Sequence, residues 1–238
     1  GIDYTHPDLA AKVIDHGKDF VNDDDDAYDD GWHGTHVAGI IAAQANNSEG
    51  IAGVAWNCRL LPVKVISASG EGDYSDLIDA LVWAADYTKD GARVGVINMS
   101  IGGTEPDQFL EEALRYAYNK GIVLVAASGN DGTQEVYYPA AYDNYCLAVG
   151  ATDYNDRIAD FSNYGPEVDV AAPGVEIIST IPVAVTEPGY LPYLFASGTS
   201  MAAPHVAGLA ALIKSAKPWL GASDIMKLIK YSPDDVEA

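Results

Sequence analysis

The chain has 238 residues, 48% of them hydrophobic, which is enough for a sizeable core and short enough for one domain of α/β type. Its formal net charge of −22 excludes nucleic acid and anionic membrane surfaces as partners, because like charges repel at Debye-length range. No stretch is long and apolar enough to span a bilayer.

The chain opens inside an element, at Gly1-Ile2-Asp3-Tyr4-Thr5-His6-Pro7-Asp8-Leu9, so the lack of a leader carries no information. Lys18-Asp19-Phe20-Val21 reads as a strand, and the run from Asn22 to Asp30 that follows is densely acidic. A solvated loop and a loop wrapped around a hard cation both account for such a run. Trp32-His33-Gly34-Thr35-His36 then enters a helix of small and apolar residues reaching Ala43. Two histidines three apart could ligate a metal, but no Glu stands between them as a zincin pattern requires. His33, at the helix mouth, reads as a base, and His36 as a packed structural residue. From Gln44 to Val54 the Asn and Gly residues interrupt the helix.

Arg59 to Ile66 reads as a buried strand that ends in Ser67-Ala68-Ser69-Gly70-Glu71-Gly72. Behind Asp73 and Ser75, the residues Leu77, Ile78, Leu81, Val82 and Ala85 recur at helical spacing. Val94 to Met99 reads as a fully buried strand ending at Ser100-Ile101-Gly102-Gly103. A helix from about Pro106 to Asn119, a strand from Ile122 to Ala127 and the loop Ser128-Gly129-Asn130-Asp131-Gly132 repeat the pattern. Cys146 to Gly150 and Asp169 to Thr180 continue or border the sheet. Cys146 and Cys58 both lie in apolar runs, where unpaired buried thiols are expected. The alternation predicts a single α/β domain over 1–238, with a mostly parallel sheet and helices on both faces, and with polar loops at three strand ends.

The last long helix follows Gly198-Thr199-Ser200-Met201-Ala202-Ala203-Pro204-His205 and runs through Ile213; Lys217-Pro218 stops it, and a short amphipathic helix spans Ala222 to Ile229. A hydroxyl at a helix start sits beside unpaired N–H groups and the positive end of the dipole, which favour a developing negative charge. Ser200 is therefore the candidate nucleophile, although taken alone a Ser at a helix start reads more simply as a structural residue, and it is the rest of the chain that favours the first reading.

His33-Gly34-Thr35-His36-Val37-Ala38-Gly39, Ala127-Ser128-Gly129-Asn130 and Gly198 to Gly208, in this order and spacing, resemble the signature blocks of subtilisin-like serine proteases. The likeness extends to Asn98-Met99-Ser100-Ile101-Gly102-Gly103 and Ala172-Pro173-Gly174. It implies a three-layer fold and a serine endopeptidase in which His33 is the base for Ser200, with the Asn130 amide and the Ser200 N–H holding the oxyanion. The family's acid lies in an Asp-Thr/Ser-Gly sequence whose Gly matches Gly1, so it would stand two residues upstream. Asp3 is displaced from that place by roughly 6–7 Å of extended chain. The chain is thus expected to be a core with an incomplete triad, shortened at its C-terminus as well. A non-catalytic, peptide-binding or structural relative is the alternative, against which the intact Ser200, His33 and Asn130 argue.

The resemblance also implies substrate recognition by strand addition, between Gly70, Glu71 and Gly72 on one side and Ser100, Ile101, Gly102 and Gly103 on the other. Tyr137 falls at the floor of the first specificity pocket; it shortens that pocket or, if the preceding loop is short, points elsewhere. Two calcium sites are implied, one on Asp8 and Asn47 with the carbonyls of Ala45, Glu49 and Ile51, the other on Asp19, Asn22, Asp24 and Asp26. The implied partners are protein or peptide substrates and a propeptide inhibitor. The implied state is a secreted, extracellular monomer.

Overall fold

The computed structural model describes residues 1–232; residues 233–238, part of the polar C-terminal stretch, lie outside the description. In chain order the elements are β1 (Lys18–Asp19), α1 (His33–Ala42), β2 (Val63–Lys64), α2 (Tyr74–Asp86), β3 (Thr88–Lys89), β4 (Ala92–Arg93), β5 (Val96–Met99), α3 (Gln108–Asn119), β6 (Val123–Ala127), β7 (Cys146–Thr152), β8 (Val170–Pro173), β9 (Ile177–Thr180), β10 (Tyr193–Ala196), α4 (Thr199–Ala216) and α5 (Ala222–Tyr231). They fall into two compact units: Gly1–Ala84 with Ile178–Phe195, and Ala85–Ile177 with the chain from Ala196 onward. Among the described residues no helix is long and apolar enough to cross a membrane.

In the first unit, Ile2, Leu9, Ala38, Ala42 and Leu60 form a core, with Val13, Ile41 and Cys58 packed against it. Small residues on α1 let its neighbours approach closely: Ser179 Oγ donates to His36 O at 2.7 Å and Thr180 Oγ1 to Thr35 O at 2.8 Å. β1 and β2 pair in parallel, Asp19 opposite Lys64. Both are shorter than the expected strands, for local reasons. After Asp19 the chain turns, because that carboxylate accepts from Val21 N and Asn22 N at 2.8 and 3.0 Å and Asp24 N returns to Asp19 O. Before Val63 stands Pro62, which has no N–H to give a ladder.

The second unit is built on a four-stranded parallel sheet in the order β5-β6-β7-β8. Every residue of β6 and β7 is buried, as uninterrupted apolar runs in a parallel sheet require. β5 ends the row, and only its Met99 is buried, a correction to the fully buried strand expected there. α4 packs across all four strands, α3 against β6, and α5 against α4 and β6. On α3, Leu110, Ala113, Leu114 and Ala117 make the buried stripe. That helix starts after Asp107, not at Pro106, because the Asp107 carboxylate caps it by accepting from Leu110 N at 2.8 Å. The α/β class with a mostly parallel sheet is as the sequence predicts; β3 and β4 form an antiparallel hairpin that it did not anticipate.

Candidate active site

Ser200 is the second residue of α4, at the C-terminal side of the sheet strand that Ser100 follows. Pro204 lies four residues on and has no N–H, so the Ser200 carbonyl loses its helical partner. Ser100 Oγ replaces it, donating to Ser200 O at 2.8 Å, while Ser200 Oγ donates to Ser100 O at 3.2 Å. Ser100 is itself buried and receives Asn98 Nδ2 at 3.0 Å. Ser200 is therefore held at both its hydroxyl and its carbonyl by one residue that follows β5.

The N-cap of α4 is Gly198, which has no side chain to cap the helix. Asn130, at the end of the β6 loop, does so from outside: its Oδ1 accepts from Thr199 N at 2.8 Å and Thr199 Oγ1 at 3.0 Å. With Oδ1 committed, the amide's NH₂ end is its donor. Met201 N and Ala202 N turn back to Gly198 O, which leaves the Ser200 N–H of the same turn available among the described residues. Gly198 has φ +156°, in the region that favours glycine, and a Cβ there would stand 3.6 to 3.7 Å from Asn130 Oδ1, Asn130 Nδ2 and Ser200 N. A side chain at 198 would therefore pack directly against these groups.

His33 is the first residue of α1, as predicted, and His36 is fully buried one turn inside with Nε2 2.9 Å from Leu194 O. Burial holds the His33 imidazole down at about 4; Asp29 pulls the other way, and His36 adds to the fall. The ring is neutral at pH 7 and able to accept a proton. The Asp3 carboxylate is engaged elsewhere: Oδ1 accepts from Thr5 N and Thr5 Oγ1 at 2.8 and 2.6 Å, and Oδ2 from Val183 N at 2.9 Å. Burial pushes the thiols of Cys58 and Cys146 up, and both are unpaired, so neither offers a ready thiolate.

Tyr137 is half-buried and lies against two backbone segments of the second unit. A Cβ on Gly102 would lie 3.0 Å from Tyr137 Cβ, and one on Gly129 would lie 3.1 Å from Tyr137 Cγ. Its hydroxyl donates to Asp131 Oδ2, and that carboxylate pushes the phenol up. Gly103 and Tyr138 exchange backbone bonds at 2.9 and 2.8 Å, fixing the segment that carries Ser100, Ile101 and Gly102. Gly70, Glu71 and Gly72 form an exposed stretch of the first unit, turned by Ser67 N to Glu71 O at 2.8 Å.

Among the described residues, no three His, Cys, Asp or Glu side chains are gathered as a metal cluster. Of the first predicted calcium set, Asp8 is fully buried and its carboxylate receives Asn47 Nδ2 at 2.5 Å, Ile51 N at 3.1 Å and Tyr193 Oη at 2.8 Å. The loop carrying Ala45, Asn47, Glu49 and Ile51 is wrapped onto this carboxylate by left-handed residues Asn46 and Ser48. A buried carboxylate, an amide that can turn its oxygen inward and loop carbonyls form a hard-oxygen donor set, which fits calcium. The second set does not fit as it stands. Asp19 is buried against Lys64 Nζ at 3.0 Å and Asn22 Nδ2 at 2.7 Å, Asp24 accepts from Asp26 N, and Asp26 from Tyr4 Oη. Lys18 meets Asp23 and Asp25, and Lys64 meets Asp30, so part of the acidic loop is already paired with lysine.

The second unit thus brings together Ser200, Asn130, Ser100, Gly102, Gly103 and Tyr137. The first unit brings together Asp8, Asn47 and Ile51, and holds His33 and Gly70 to Gly72. Asp29, Asp131 and Tyr193 take part without having been singled out; for Asp131 the signal was its place directly after Asn130.

A model of the subtilase family matches residues 1–236. The chain is 54% identical over 215 residues to a thermophilic serine proteinase of Bacillus sp. (strain AK1), covering 90% of this chain and 50% of that protein. It therefore spans half the length of that relative. It is 45% identical over 236 residues to thermitase of Thermoactinomyces vulgaris, covering 99% and 79% of the two. Among solved structures, one of proteases from Pseudoalteromonas arctica superposes with a TM-score of 0.89 at 35% identity, covering 100% of this chain and 82% of that one. A cold adapted subtilisin-like serine proteinase gives 0.85 at 34% identity, covering 97% and 78%.

Proposed function

The chain belongs to the subtilase family, and from that premise we propose that it is the core of a serine endopeptidase cutting extended polypeptides and stabilised by calcium. The observation that carries this reading is the Ser200 turn. A hydroxyl fixed by Ser100 stands at a helix start, where the Asn130 amide and the Ser200 N–H are free to donate. In this reading His33, neutral at pH 7, takes the Ser200 Oγ proton as the oxygen attacks a peptide carbonyl. The developing oxyanion draws on Asn130 Nδ2 and Ser200 N, and His33 then passes the proton to the leaving amine. The acid that orients His33 belongs, by the resemblance, two residues before Gly1.

Gly70, Glu71 and Gly72, and separately Ser100, Ile101 and Gly102, are assigned to main-chain pairing with substrate, and Tyr137 to the pocket beside the scissile carbonyl. Asp8, Asn47 and the carbonyls of Ala45, Glu49 and Ile51 would hold one calcium ion, whose role is to tie the 45–51 loop to the buried Asp8. A propeptide as inhibitor, a monomeric state and an extracellular setting belong to the same reading. The test is active-site labelling of the full-length protein by a fluorophosphonate, with peptide hydrolysis alongside. Label on Ser200, lost in Ser200→Ala, is expected. Asn130→Ala should keep the fold and lower kcat by about 10²–10³, the loss that follows removal of such a donor in a subtilisin. Failure of the wild-type protein to label or cleave would overturn the reading.

A further inference from the structure

The proposed base stands at the first residue of α1, against the positive end of the helix dipole. That is the least favourable place for the cation an imidazole becomes on taking a proton. The usual compensations are missing: Trp32, the N-cap, makes no side-chain bond to the helix, and the first turn holds no acidic residue. The buried carboxylate of Asp29 supplies both from outside the helix. Its Oδ2 accepts from Thr35 N at 2.8 Å and Thr35 Oγ1 at 2.6 Å, and its Oδ1 from Gly31 N at 3.0 Å. Thr35 Oγ1 in turn accepts from Asp3 N at 2.9 Å, and a Cβ on Gly34 would lie 2.1 Å from Gly1 O. The turn that begins with His33 is therefore wedged between residues 1–3 and Asp29.

Asp29 is also the carboxylate whose charge favours the His33 cation. His36, one turn on, opposes it, as does burial. We propose that Asp29 is a positioning residue for proton transfer, locking the first turn of α1 through Thr35 and offsetting the helix dipole so that His33 can hold the proton it takes from Ser200. This rests on His33 being the base.

The test is the pH dependence of Ser200 labelling by a fluorophosphonate in the full-length protein, with folding checked by circular dichroism. The acid limb reports the protonation of the free base. Asp29→Asn removes the anion, so the limb should move to lower pH and the plateau rate should fall; Asp29→Glu should restore both in part. Thr35→Val unfastens the turn and keeps the charge, so it should lower the plateau and leave the limb in place. An unmoved limb in Asp29→Asn, or Thr35→Val reproducing both effects, would overturn the inference. If wild-type Ser200 does not label, the proposed function falls, and NMR titration of the His33 ring decides the question separately: a midpoint that Asp29→Asn leaves in place sinks the role given to Asp29.

Discussion

Ser100 Oγ donates to the carbonyl oxygen of Ser200 at 2.8 Å, in the place of the backbone N–H that Pro204 lacks. A proline four residues after Ser200 would otherwise leave a carbonyl of the first helical turn without a partner. Residue 100 supplies that partner, and its carbonyl receives the Ser200 hydroxyl at 3.2 Å. Packing and chemistry thus share one contact.

Ser100→Ala should therefore cost about 1–3 kcal/mol of stability, the penalty for stranding a buried acceptor, and should slow Ser200 labelling. Ser100→Thr keeps the hydroxyl and should cost less on both counts. Urea unfolding midpoints and labelling rates check this. An alanine variant as stable and as reactive as wild type would show the bond to be incidental.

How much of this was legible in the chain depends on the range of the interaction. β6 and β7 are apolar runs buried throughout, and their pattern is local. β2 shrank at Pro62, whose effect is also local and readable. The hairpin of β3 and β4 turns through Asp90 and Gly91, both at positive φ, so a readable two-residue signal was overlooked. β10 is mostly exposed and carries no alternation to mark it. In the site, Ser200 and Asn130 announce themselves by sequence block. Asp29 does not, since a carboxylate in an acidic run looks like any other until the fold shows which amide it meets. Tyr193 reaches Asp8 across 185 residues, a separation no local pattern encodes.

Acid should destabilise the protein through His33. Its folded pKa of about 4 lies below the 6.5 of the free ring, so between these values the unfolded chain binds the extra proton. The contribution is complete above pH 6.5 and is lost as the pH falls toward 4, amounting to about 3 kcal/mol across that window. His33→Gln has no proton to take up there, so its stability should fall less steeply over the same range. Denaturant titrations at pH 7 and pH 4.5 measure the difference, and parallel losses in both proteins would contradict it.

Calcium on Asp8 should appear as mass action on folding. An ion that binds only the folded state adds RT ln(1 + [L]/Kd), about 2.7 kcal/mol at a hundredfold excess over Kd. EGTA should lower the Tm and added calcium should raise it, with magnesium less effective because it demands tighter octahedral geometry. Asp8→Asn removes the buried charge that the ion needs, and should abolish the response. A Tm indifferent to chelation would dismiss the site, leaving Asp8 as a carboxylate satisfied by Asn47, Ile51 and Tyr193.

Tyr137 makes the sharpest prediction about substrate choice. Its side chain lies against Gly102 and Gly129, in the segments that carry Ser100 and Asn130, and its hydroxyl is tied to Asp131. If, as proposed, a substrate side chain enters beside the carbonyl that Ser200 attacks, it meets this ring, and short side chains should be preferred there. Tyr137→Gly removes the ring and should raise kcat/KM for Phe relative to Ala by about tenfold or more, since each methylene accommodated is worth about 1–3 kcal/mol. Asp131→Asn weakens the tie without removing the ring, so its change should be smaller and in the same direction. A peptide series varied at that one position measures the ratio. A wild-type preference for Trp or Arg would place the ring outside the pocket, and an unchanged ratio in Tyr137→Gly would do the same.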